Sequence, residues 1–88
     1  MKLKATNFKN LHLLELDIKS DHRGDFSRLF CKKTFKKLNL NFEVKQVSYA
    51  TNNKKYTLRG MHFQNIPMQE QKLLCCLHGT IWDVVVDV

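Results

Sequence analysis

Thr57-Leu58-Arg59-Gly60-Met61-His62-Phe63-Gln64 sits within a run of β-compatible segments, and its reading decides the fold. Apolar and polar side chains mix over a strand's length, and turn-forming clusters bound the stretch on both sides. Working outward, Glu43 to Ala50 precedes it across Thr51-Asn52-Asn53-Lys54-Lys55. Gln71 to His78 follows across a turn around Pro67, and Thr80 to Val88 lies beyond Gly79. These four segments predict strands, and with no helix-length stretch between them they favour a sandwich, barrel or jelly roll over an α/β sheet. Upstream, Leu11 to Ile18 predicts a strand ended by the polar turn Ser20-Asp21-His22-Arg23-Gly24, and Phe26 to Phe30 starts another. Lys32 to Leu38 predicts one short helix, with Phe35 and Leu38 three apart and lysines on the other side.

A chain of 88 residues is one domain or part of one. Its 43% hydrophobic and 26% charged content places it among globular chains and away from disordered ones. The longest apolar runs, Leu73 to Leu77 and Val84 to Val86, fall far short of the ~20 residues a spanning helix needs. His12, Glu15 and Asp17 interrupt the early apolar stretch where a secretory signal would lie, so a cytoplasmic location with no membrane partner is expected. The net charge of +7 favours acidic ligands, nucleotide-sugar phosphates and nucleic acid alike. Much of that excess, however, lies in Lys32, Lys33, Lys36, Lys37, Lys54 and Lys55, which read as a solvated helix face and a turn.

Three cysteines, Cys31, Cys75 and Cys76, form an odd set, and the adjacent pair would point to opposite faces of a strand. A disulfide framework is not expected. A zinc site using Cys75 or Cys76 with His78 and His62 would need a ligand spacing that the chain lacks, so the thiols read as small hydrophobes and no metal is expected.

The chemistry-bearing residues cluster in the central segment. Arg59 and His62, with Lys72 downstream, bring a guanidinium, an imidazole and an ammonium onto neighbouring segments. An imidazole serves as a base near neutral pH, and two cations hold an anionic substrate and stabilise an oxyanion as charge develops. The set therefore suits removal of a proton from carbon beside a carbonyl. Strand parity opposes it, since Arg59 and His62 fall on opposite faces of an ideal strand; a bulge at Gly60 would turn both inward. Gln46 and Ser48 share one parity. The plainer alternative is a structural histidine with surface cations.

The segments Asp21 to Phe26, Val44 to Ser48, Leu58 to Gln64, Gln71-Lys72-Leu73 and Gly79 to Asp87 occur in the order and spacing of the dTDP-4-dehydrorhamnose 3,5-epimerase family, which the chain resembles throughout. The resemblance implies a cupin-like jelly roll of which residues 1–88 form the N-terminal part, hence an incomplete all-β domain. It also implies a homodimer, a nucleotide-diphosphate sugar as substrate, no cofactor, and a place in deoxysugar supply for surface polysaccharide. By the same resemblance His62 removes protons at C3 and C5 of a 4-keto-6-deoxy sugar, and Lys72 stabilises the enolate. Arg59 holds the diphosphate or sugar, Arg23 and Phe26 reach the nucleotide, and Gln46 and Ser48 contact ligand. General cupins use His-x-His for metal, and Gln64 in His62-Phe63-Gln64 argues against that use here.

Departures from the family pattern are specific. Arg28 stands where a substrate-contacting Glu is usual, Asp25 replaces an aromatic or apolar residue, and Ser48 replaces the commoner Asn. The proton-donating Tyr, a later His and the acid that orients the base correspond to sequence beyond Val88. An inactive cupin remnant that binds nucleotide sugar or a partner protein is therefore the alternative to an epimerase. A small basic nucleic-acid binder is a third reading, but no RNA-recognition pattern of aromatics and glycines accompanies the charge.

Overall fold

Lys2-Leu3-Lys4-Ala5 alternates polar and apolar side chains, and in a computed structural model describing all 88 residues it forms the first strand, β1 (Lys2–Ala5). It pairs antiparallel with β2 (His12–Glu15), placing Leu3 opposite Leu14 and Lys2 opposite Glu15. Thr6 organises the connection: its hydroxyl donates to the Leu11 carbonyl at 2.8 Å and accepts from the Phe8 N–H at 3.1 Å. The Met1 ammonium meets the Asp17 carboxylate just past β2. Here the single strand expected over Leu11 to Ile18 divides, because the chain changes partners after Asp17. Its second part opens β3 (Ile18–Asp21), which forms a separate antiparallel pair with β4 (Gly24–Ser27) around the two-residue turn His22-Arg23.

The helix falls where the lysine and phenylalanine pattern puts it. It spans Lys32–Lys37 (α1) and buries Phe35, which at 3% exposure is the chain's only buried hydrophobic residue. Phe30 meets the Phe35 ring edge-on with centroids 4.8 Å apart, and Phe42 lies 5.9 Å from it. Three backbone bonds end the helix. Leu38 N–H donates to Thr34, Asn39 N–H to Lys36 and Leu40 N–H to Phe35. Asn39 takes the left-handed conformation, φ 57°, that lets the chain double back and satisfy these carbonyls.

The regular structure is thus all-β apart from one short helix, as an incomplete cupin-like fragment requires. The four strands expected between Glu43 and Val88 are corrected: those residues form no ladder, every one is exposed, and His62 does not face a barrel interior. Strand propensity becomes a strand only where a neighbouring strand takes up its backbone N–H and C=O groups in a ladder, and residues 43–88 enter no ladder. The consequence is visible in the surface. The chain exposes 9267 Å², against about 5,400 Å² for a folded monomer of its mass. Val47, Leu58 and Trp82 are among the large apolar side chains left in solvent. No helix is long and apolar enough to cross a membrane.

By packing, the chain divides into two units, one comprising Met1–Phe42 with Leu74–Val88, the other Glu43–Leu73.

Candidate functional site

In the first unit, the β3–β4 hairpin presents Arg23 and Phe26. Asp21 ends β3 and its carboxylate accepts the Arg23 backbone N–H at 2.8 Å, a side-chain bond that pre-sets the turn. The same carboxylate accepts Arg23 Nη2 at 2.7 Å and Nε at 3.2 Å. Gly24, at φ 127°, supplies a backbone conformation that a Cβ disfavours. The Arg23 guanidinium, followed by the Arg23 backbone N–H, holds the Asp21 carboxyl below the usual carboxylate range, and Asp21 in turn raises Arg23. A depressed carboxyl keeps its pairing above its ordinary pKa and loses it as pH falls through the lowered value. Both partners therefore stay charged through the neutral range. Residues 19–21 and 23–26 line an open concavity of about 510 Å³ here. Phe26 is 65% exposed on it, so its ring face is available for stacking.

The second unit holds Gln46, Ser48, Arg59, His62 and Lys72, all exposed. Arg59 is fixed by its own loop: Nε donates to Asn52 Oδ1 at 2.7 Å and Nη2 to the Thr51 carbonyl at 2.9 Å. Lys72 pairs with Glu70 at 3.3 Å. Gly60, at φ 99°, lets the chain turn so that the His62 ring lies against it; a Cβ built there would meet His62 Nδ1 at 3.4 Å. The expected bulge has no ladder to interrupt, yet its glycine does hold a conformation reserved for glycine. None of the five ion pairs includes His62. The structure thus brings Arg23 and Phe26 together on one hairpin. Arg59, His62 and Lys72 share a unit without bonding one another.

Sequence reasoning passed over Cys31, the residue before α1. The Thr34 side chain, then the first-turn N–H groups of Thr34 and Lys33, with Arg28 adding its charge, pull this thiol down to about 7. The signal was a cysteine immediately before a helix with a threonine three residues on. No group of three or more metal-ligating side chains gathers anywhere, including around Cys75, Cys76 and His78.

Comparison with known proteins supplies the remaining constraint. The model of a family described as dTDP-4-dehydrorhamnose 3,5-epimerase matches residues 5–88. The dTDP-4-dehydrorhamnose 3,5-epimerase of Escherichia coli (strain K12) is 33% identical over 89 residues, covering 100% of this chain and 48% of that protein. The enzyme of the same name from Sinorhizobium fredii is 38% identical over 68 residues, 77% of this chain and 35% of its own. A dTDP-4-dehydro-6-deoxyglucose 3-epimerase of Streptomyces bikiniensis is 39% identical over 72 residues, 81% and 36% of the two chains. The chain spans about half, or less, of the length of these curated relatives. No solved structure matches.

Proposed function

Because the chain belongs to the dTDP-4-dehydrorhamnose 3,5-epimerase family, we propose that it carries the base-bearing half of a nucleotide-sugar epimerase acting on a dTDP-4-keto-6-deoxyhexose. The observation that carries this reading is the family match over residues 5–88, which takes in all seven candidate site residues. In the proposed reaction the His62 imidazole takes the proton from C3 or C5, becoming imidazolium, while the C–H electron pair moves toward the 4-keto oxygen. The carbon beside the ketone is acidic enough for this only if the enolate oxygen is stabilised, which is the part assigned to the Lys72 ammonium. Reprotonation on the opposite face inverts the centre, with a donor that the other half of the domain would supply. Arg59 holds the diphosphate or the sugar, Gln46 and Ser48 contact ligand, and Arg23 and Phe26 take the nucleotide. The reaction needs no metal or organic cofactor, and the assembly is a homodimer in the cytoplasm.

One observation favours the second reading, a nucleotide-sugar-binding remnant without turnover. His62 is exposed and takes part in no ion pair with a carboxylate, whereas an imidazole base is held in tautomer and orientation by such a group. The two readings separate in deuterated water. The chain, alone and together with a polypeptide supplying the second half of a family domain, is incubated with dTDP-4-keto-6-deoxyglucose, and deuterium at C3 and C5 is followed by NMR. Exchange in either mixture supports the epimerase; binding of the sugar nucleotide with no exchange in both supports the remnant.

A further inference from the structure

The register of the β3–β4 hairpin places a residue beside Arg23 and Phe26 that neither the motif nor the comparisons single out. Lys19 lies directly opposite Phe26, and Asp21 directly opposite Gly24. Side chains opposite one another share a face, and positions two apart on a strand share it too. Lys19, Asp21 and Phe26 are therefore on one face of the hairpin. Arg23 lies in the turn, but its guanidinium is drawn onto the Asp21 carboxylate, which brings that charge to the same face. The opposite face is occupied differently: Ser20 pairs with Asp25, and the Ser20 hydroxyl donates to Asp25 Oδ1 at 2.5 Å.

We propose that Lys19 is a phosphate-binding residue of this hairpin, contacting the diphosphate of the nucleotide while Phe26 stacks on the base and Arg23, positioned by Asp21, makes the second phosphate contact. The inference rests on the reading of the chain as a dTDP-sugar binder. Two cations, Lys19 and Arg23, and two carboxylates, Asp21 and Asp25, line the open concavity together with Phe26, and each carboxylate is already engaged, Asp21 by Arg23 and Asp25 by the Ser20 hydroxyl. Lys19 takes part in none of the ion pairs. Its field acts on Asp17, where it is one of the weaker influences, well behind the Met1 ammonium. Arg23 Nε and one N–H of Nη2 are committed to Asp21, so an incoming diphosphate finds Nη1, the second Nη2 N–H and the Lys19 ammonium as its available donors. An ammonium is a compact charge with three donors on a flexible stem, suited to a phosphate that sits at a variable distance from the hairpin.

The test is the affinity of the full chain for dTDP, measured by titration calorimetry across a range of salt concentrations, for the wild type and for Lys19→Gln, Lys19→Arg and Arg23→Ala. The expected result is about a fivefold loss of affinity and a shallower salt dependence in Lys19→Gln, as for one solvent-exposed ionic contact, with most of the affinity regained in Lys19→Arg. Unchanged affinity and salt slope in Lys19→Gln, alongside a loss in Arg23→Ala, overturns the role of Lys19 and leaves the dTDP reading standing. A wild type that does not bind dTDP overturns both.

Discussion

Residues do different work in each unit according to what already holds them. Arg23 and Arg59 are each anchored by two or more hydrogen bonds within their own turns, so their guanidinium planes are oriented before any ligand arrives. Cys31 is the residue whose chemistry can be checked without knowing the ligand. Its depressed pKa means that the folded chain favours the thiolate. The associated stability is present above the ordinary thiol value and is lost as pH falls through about 7. Alkylation of Cys31 by iodoacetamide, followed by peptide mass spectrometry, should rise with a midpoint near pH 7. Thr34→Val should move that midpoint upward, because the Thr34 side chain is the largest influence on the thiol. A Cys31 midpoint unaltered by the substitution would remove Thr34 as the cause.

Elements differ in how far they stand alone. Helix α1 is short for its kind and depends on its end and its one buried ring. Asn39→Val, which forces a branched side chain into the left-handed region, should destabilise the helix by about 1–2 kcal/mol, whereas Asn39→Gly should be near neutral. Phe35→Ala, which empties the aromatic cluster, should cost about 3 kcal/mol. Circular dichroism under denaturant titration measures both. The helix was legible in the sequence because its pattern is local: Phe35 faces in and Lys32, Lys33, Lys36 and Lys37 face out. The turn at Asp21-His22-Arg23-Gly24 was legible for the same reason, since an Asp that bonds two residues ahead and a glycine with positive φ are short-range devices. Strands between Glu43 and Val88 were misjudged because composition reports a preference for pairing and says nothing of whether a partner is within reach. β1 was missed although Lys2 to Ala5 alternates cleanly, and the motif residues His62 and Lys72 were placed on strands that do not form.

At the scale of the molecule, the exposed apolar side chains and the lack of any ladder from residue 43 onward state a single physical problem. Hydrogen-bonding groups and apolar surface that are not covered within a chain are covered between chains. Sedimentation velocity should show dimers or larger species, and an apolar dye should bind strongly; a monodisperse monomer with a sharp cooperative melt would contradict this. Mixing with a polypeptide supplying the second half of a family domain should suppress both self-association and dye binding. The proposed chemistry carries the same requirement, because an imidazole base works best with an orienting partner and in dry surroundings that strengthen enolate stabilisation. The central claim is that the His62 imidazole removes the substrate proton, and the most direct measurement is deuterium uptake at C3 and C5 of dTDP-4-keto-6-deoxyglucose by the complemented chain and its His62→Ala and Lys72→Ala variants. Loss of a positioned base should lower exchange ~10²–10⁴-fold in His62→Ala, with more activity surviving in Lys72→Ala. Exchange in His62→Ala at the wild-type rate would contradict the account.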